Sequence, residues 1–284
     1  MSVKSPFVVS ADWLESRLPE PDLKIVDASW YLPIHNRNQR EEYEAAHIPG
    51  AVFFDQDAIV EPGSALPHTL PSPSVFAAHA SRLGLSNDDT IVVYDGPGIF
   101  TAPRVWWMLR VMGAKKVHVL DGGLDNWKKD GRPVTNDMTV VTPTEFIADL
   151  DDSRLAPFSM IQSIVSEGGA QIADARSPGR FSGAEPEPRE GMRSGHMPGA
   201  FNIPVMTLSN NGYLKDIEAL KSVFDEAGMD LEKPVVTSCG SGVTAAAIIL
   251  ALESLGHQDN RLYDGSWSEW GSRDDTPVDT GNGR

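Results

Sequence analysis

The chain has a single cysteine, Cys239, among its 284 residues. One thiol excludes an internal disulfide and any multi-cysteine metal site, and the seven histidines show neither HxxxH nor HExxH spacing, so no metal is expected. Positive charge is also scarce: 24 lysines and arginines face 40 acidic residues, a formal net charge of −16. Such a surface is poorly matched to a phosphate backbone, and nucleic acid is not an expected partner. The best apolar run, Val243 to Leu252, is too short to span a bilayer, and the N-terminus lacks the apolar core of a signal peptide. The expected setting is a reducing cytoplasm without membrane attachment.

What is present centres on that one thiol. Cys239 follows an apolar, strand-like run (Val235, Val236, Thr237) and opens Cys-Gly-Ser-Gly-Val-Thr, after which an alanine-rich helical segment begins. Glycines at 240 and 242 let such a strand-to-helix turn curl until successive N–H groups point at one atom, and the helix N-terminus adds partial positive charge. A thiol at that place is expected to act as a thiolate nucleophile. A cysteine inside an apolar run would more simply be a small core residue, but Cys239 is flanked by Ser238 and Gly240.

The 40% hydrophobic content supports one large domain or two ordinary ones, and an internal repeat decides for two. Ile25-Val26-Asp27-Ala28 returns as Ile172-Ala173-Asp174-Ala175, and Ala46 to Ala51 as Gly195 to Ala200, each with a His-x-Pro-Gly-Ala core. Ile91 to Gly96 matches Pro234 to Gly240, and Asp121-Gly122 with Trp127 matches Asp264-Gly265 with Trp270. Each half alternates β-branched runs with helical segments, the pattern of a mostly parallel sheet flanked by helices. Strands are predicted at 25–28, 91–94, 117–120, 172–175, 235–238 and 261–263. Helices are predicted at 73–83, 101–112, 217–227 and 244–255, the last with Thr244 as its cap. The expected division is a first domain over 1–140, a linker over 141–157 and a second domain over 158–284. Asp95 stands where the second half has Cys239, so the first half is expected to lack the nucleophile and to serve as scaffold. Asp27, Asp174, His47 and His196 occur in both halves and read as structural. Trp106 and Trp107 read as core or interdomain packing rather than an interface.

The repeat, the His-x-Pro-Gly-Ala motifs and Cys-Gly-Ser-Gly-Val-Thr-Ala together resemble the tandem-domain rhodanese superfamily over nearly the whole chain. Within it, Gly240 and Ser241 after the cysteine resemble the 3-mercaptopyruvate sulfurtransferase branch, where thiosulfate-using members typically carry bulky basic residues. The resemblance implies two tandem rhodanese-like α/β domains and sulfur transfer through a Cys239 persulfide. It implies pyruvate release and an acceptor such as thioredoxin, a small thiol or cyanide, with no cofactor. The segment from Asp174 to Arg189 resembles the branch's substrate-binding stretch, which would make Arg180 and Arg189 carboxylate binders beside Gly240, Gly242, Val243 and Thr244 of the loop. A serine, histidine and aspartate relay is implied as well: Ser241, with His68 and Asp57 from the segment Phe53 to His68, Asp55 being the competing acid.

Rival functions differ at single positions. A rhodanese-fold phosphatase needs arginine after five intervening residues, where this chain has Ala245. Thiosulfate sulfurtransferase activity and a non-catalytic persulfide carrier are the remaining alternatives; a carrier would have no use for two carboxylate-binding arginines.

Overall fold

The computed structural model describes residues 4–283. The first half builds a five-stranded parallel sheet from β1 (Val8–Val9), β2 (Leu23–Asp27), β3 (Ala51–Phe53), β4 (Thr90–Tyr94) and β5 (Lys116–Leu120), in the order β1-β5-β4-β2-β3. The second half adds β6 (Gln171–Asp174), β7 (Phe201–Asn202), a hairpin of β8 (Ser209–Asn210) and β9 (Tyr213–Leu214), β10 (Val235–Ser238) and β11 (Asn260–Leu262). Its sheet runs β11-β10-β6-β7. The two orders superimpose strand for strand. Even the edge strand β1 has a counterpart, because Leu155 forms a parallel bridge to Leu262 beside β11.

The central strands are Ile- and Val-rich and buried on both faces, as parallel strands covered by helices must be. Every predicted strand and helix is present, with ends displaced by a residue or two. Thr244 holds the N-cap position of helix Ala245–Ser254, but its side chain makes no capping hydrogen bond, which corrects the expected cap. Its backbone is already in the right-handed helical region, and Thr244 lines a cavity. Functional caps occur elsewhere: Ser10, Asn38 and Asp216 accept N–H groups of their helices.

Helix Ala245–Ser254 is buried all round, including Glu253, because it lies between its own sheet and helix Ala102–Val111 of the first half. Trp106 and Trp107 sit on that second helix and are core residues, with the Trp106 indole N–H donating to Val117 O at 3.1 Å. The paired histidines are structural too. His47 stacks on Tyr43 and bonds Tyr43 O at 2.7 Å; His196 stacks on Phe181 and bonds Phe181 O at 2.9 Å. No helix among the described residues is long and apolar enough to cross a membrane.

Candidate active site

β4 and β10 are the central strands of their sheets, and at their carboxyl ends the chain turns into Asp95 and Cys239. Open α/β sheets bind ligands at such ends. Cys239 is 2% exposed. Its loop is clamped from behind by the turn after β11: Cys239 N–H donates to Ser266 Oγ (3.2 Å), Trp267 N–H to Cys239 O (3.0 Å) and Ser268 N–H to Gly240 O (2.9 Å). The N–H groups of Ser241, Gly242, Val243 and Thr244 find no acceptor among the described residues.

The first half displays what such a loop holds. Asp95 is fully buried, and its carboxylate accepts the N–H groups of Gly98 (2.6 Å), Phe100 (2.9 Å), Thr101 (2.6 Å) and Ala102 (2.7 Å). The turn is therefore an anion cradle, filled in one half by the protein's own carboxylate. Burial pushes the Asp95 carboxyl up, and the four donors pull it back. Asp95 is no nucleophile.

The first half also reaches into the second. His68, in a left-handed backbone conformation (φ 57°), places Nδ1 2.8 Å from Ser241 Oγ and Nε2 3.0 Å from Asp57 Oδ1. A carboxylate only accepts, so the imidazole proton sits on Nε2, and Nδ1 accepts the Ser241 O–H. The Trp30 indole N–H also donates to Asp57 Oδ1 (2.9 Å), and the Trp30 ring meets His68 edge-on at 4.7 Å. The hydrogen bond from His68 holds the Asp57 carboxyl below its usual value. Asp55 does something else: its Oδ1 accepts the N–H groups of Asp57 and Ala58 and shapes the turn.

Opposite the loop stand the arginines. Arg180 hangs over Gly240 so closely that a Cβ there would lie 2.9 Å from Nη2, so a side chain at position 240 would displace the guanidinium. Arg180 donates to Glu187 Oε2 at 2.5 Å; Glu187 Oε1 accepts from Arg176 Nη1 at 2.8 Å, and Arg176 pairs with Asp174 at 2.7 Å. Arg189 is half-buried, and its guanidinium makes no salt bridge among the described residues, Glu187 and Asp57 acting on it at longer range. Burial lowers its pKa, opposed by its interaction with Cys239. A cavity of about 700 Å³ is lined by Cys239, Gly240, Ser241, Val243, Thr244, Arg180 and Arg189, with Trp30, Phe100 and Met206 among its apolar walls.

Gly242 can serve the cradle only through its N–H, because its Cα faces away from the cavity. It lies behind the loop with φ 78°, where a Cβ would sit 3.0 Å from Asp264 O and 3.3 Å from Arg104 Nη1. Its task is to permit the turn. Arg104 was not anticipated from sequence; it is 1% exposed and crosses between halves to donate to Gly242 O (3.3 Å), His68 O (2.8 Å) and Asp264 Oδ1 (2.6 Å). Trp30 and Glu187 were missed as well, since an isolated tryptophan and a glutamate in a charged stretch carry no signal apart from their burial.

Comparison with known proteins gives the chain a family. The rhodanese-like domain family matches residues 10–130 and 159–273. The 3-mercaptopyruvate sulfurtransferase of Escherichia coli is 42% identical over 98% of this chain and 99% of its own. The human enzyme of that name is 41% identical, covering 98% of this chain and 96% of its own. Arabidopsis thaliana has a mitochondrial thiosulfate/3-mercaptopyruvate sulfurtransferase that is 43% identical over 96% of this chain and 78% of its own. Among solved structures, the 3-mercaptopyruvate sulfotransferase SseA of Escherichia coli superimposes with a TM-score of 0.84 at 41% identity, over 93% of this chain and 99% of that one. Tum1 of Saccharomyces cerevisiae reaches 0.87 at 30% identity over the full length of both. Matched in both of its halves, and along almost the full length of its relatives, the chain belongs to the rhodanese family and is a sulfurtransferase of two rhodanese-like domains.

Proposed function

We propose that the protein takes sulfur from 3-mercaptopyruvate onto Cys239 and passes it to a thiol or cyanide acceptor, with release of pyruvate. The observation that carries this reading is the pairing, in one cavity, of a cysteine in an anion cradle with an arginine that makes no salt bridge among the described residues. Arg189 and Arg180 hold the donor's carboxylate and ketone, for which a planar set of N–H donors is suited.

The Cys239 sulfur attacks the thiol sulfur of the donor; an S–S bond forms, the S–C bond breaks, and its electron pair leaves on the pyruvate enolate. Ser241, hydrogen-bonded to His68, carries the proton from the donor thiol to the enolate, and Asp57 stabilises the charge that passes onto the imidazole. The N–H groups of the loop then hold the terminal persulfide sulfur, as an oxyanion hole holds a tetrahedral intermediate. The acceptor attacks that sulfur and regenerates Cys239. Thioredoxin, a small thiol and cyanide are the proposed acceptors, and a reducing cytoplasm the proposed setting.

Single-turnover mass spectrometry of the intact protein tests this reading. Mercaptopyruvate alone is expected to add one sulfur, with no gain in Cys239→Ser. Sulfur gained chiefly from thiosulfate would move the donor assignment to that anion.

A further inference from the structure

The cavity's charges pair off in an uneven way. Four arginines line it: Arg37, Arg176, Arg180 and Arg189. Arg37 is engaged by Glu42 and Asp125 at the rim. Deeper in, Arg176 and Arg180 face two carboxylates, Asp174 and Glu187, in a continuous chain: Asp174 to Arg176 (2.7 Å), Arg176 to Glu187 (2.8 Å), Glu187 to Arg180 (2.5 Å). The side chains of Asp174, Arg176 and Glu187 are at most 4% exposed, so solvent does little to screen them. Two cations balance two anions; Arg189 remains outside this chain, making no salt bridge among the described residues and feeling Glu187 and Asp57 only at longer range. Glu185, which lines the cavity, is exposed on its rim, and Asp57 is hydrogen-bonded to His68.

We infer that Glu187 holds down the net positive charge of the donor site and thereby selects a singly charged sulfur donor over a doubly charged one. The inference rests on the donor reading proposed above, since 3-mercaptopyruvate carries one carboxylate and thiosulfate carries two charges. Glu187 touches no substrate and acts through Arg180. It fixes the guanidinium over Gly240, so that its N–H groups face the cavity in one orientation, and it cancels most of that guanidinium's long-range field. A monoanion is satisfied by Arg189 and takes directed hydrogen bonds from Arg180. A dianion brings a second charge for which the site has no free counterpart, beside a cysteine sulfur that must itself be negative to react. Without the Glu187 charge the site would gain one net positive charge and the preference would move toward dianions. At an effective dielectric near 20, one unit charge within a few ångströms changes the binding of another by about tenfold or more.

The test compares kcat/KM for mercaptopyruvate and for thiosulfate in wild type, Glu187→Gln and Glu187→Asp. Glu187→Gln keeps an acceptor for Arg180 but removes the charge, and is expected to raise the thiosulfate-to-mercaptopyruvate ratio about tenfold. Glu187→Asp keeps the charge and is expected to hold the wild-type ratio, whatever happens to the absolute rates. An unchanged ratio in Glu187→Gln, or an equal move in both variants, overturns the inference, because a purely structural role would affect both donors alike. Should Glu187→Gln fail to fold, calorimetric binding of methanesulfonate and sulfate to the wild type decides: these tetrahedral anions differ chiefly in charge. Methanesulfonate is expected to bind at least as tightly, and a tenfold preference for sulfate would overturn the inference. Failure of the donor reading looks different, as no sulfur would pass from mercaptopyruvate to the wild type while the two anions still rank as stated.

Discussion

At the scale of the residue, the reaction depends on side chains far apart in sequence. Ser241 and His68 are 173 positions apart and 2.8 Å apart in space. If they move a proton to the departing enolate, Ser241→Ala should lower kcat with mercaptopyruvate about a hundredfold. Sulfur loading from thiosulfate, whose leaving sulfite needs no proton, should suffer much less. Rapid-quench measurement of pyruvate and persulfide checks both, and equal losses with the two donors would assign Ser241 to folding of the loop. Gly240→Arg should drive the new side chain into Arg180 and raise KM for mercaptopyruvate at least tenfold, since a misplaced guanidinium loses its directed hydrogen bonds. Cys239 and Ser241 were legible because the whole loop is contiguous in sequence and its glycines explain its shape. Asp57 was not separable from Asp55: both are acidic loop residues two positions apart, and only the folded turn shows that Asp55 caps it while Asp57 meets His68. Glu187 was invisible for a similar reason, as its role arises from burial between two arginines.

At the scale of the element, the two halves run the same strand-turn-helix unit with different charges inside. In the second half Asp174, at the end of β6, is neutralised by Arg176; in the first half Asp27, at the end of β2, has no cation partner among the described residues and is met by neutral donors, the Ser29 N–H at 2.9 Å and the Ser29 and Tyr94 hydroxyls. Burial accordingly pushes the Asp27 carboxyl from 3.8 to about 6, with Asp95 nearby acting in the same direction. A carboxyl with a raised folded pKa binds more protons folded than unfolded, so its contribution to stability is present at low pH and fades as pH climbs from about 4 to about 6. Asp27→Asn should remove that slope and stabilise the protein above pH 6 by on the order of 2 kcal/mol relative to wild type. Denaturant titrations of both proteins between pH 4 and 7 check this, and parallel curves would contradict it. The central strands and long helices were legible from β-branched runs and helical spacing. The two-residue strands β1 and β7 and the short helices Pro178–Ser182 and Ser266–Trp270 were not, because so few residues carry no period and their backbone is fixed by tertiary partners.

At the scale of the whole molecule, the halves hold each other by matching contacts. Leu70 N–H donates to Asp264 Oδ2 at 2.7 Å, and Leu214 N–H donates to Asp121 Oδ1 at 2.7 Å; these are equivalent positions of the repeat. His68 and Gly212 occupy equivalent places two residues earlier, both with left-handed φ, one beside the Cys239 loop and the other against the Asp95 loop. Arg104 crosses the same junction. Arg104→Met should strip Asp264, Gly242 and His68 of a shared donor, destabilise the protein by about 3 kcal/mol and slow persulfide formation. Scanning calorimetry should show a lower, broadened transition resolving into two, and an unshifted single transition would mean that the junction is held elsewhere. The repeat made the two-domain plan legible, but not this exchange, because a loop's partner cannot be read from its own residues. The exchange carries one more consequence. Each half lends the other the loop that finishes its cleft, so a chain cut between Thr135 and Thr144 would yield two inert fragments whose mixture works only when they meet, its rate rising with the product of their concentrations until the pair saturates.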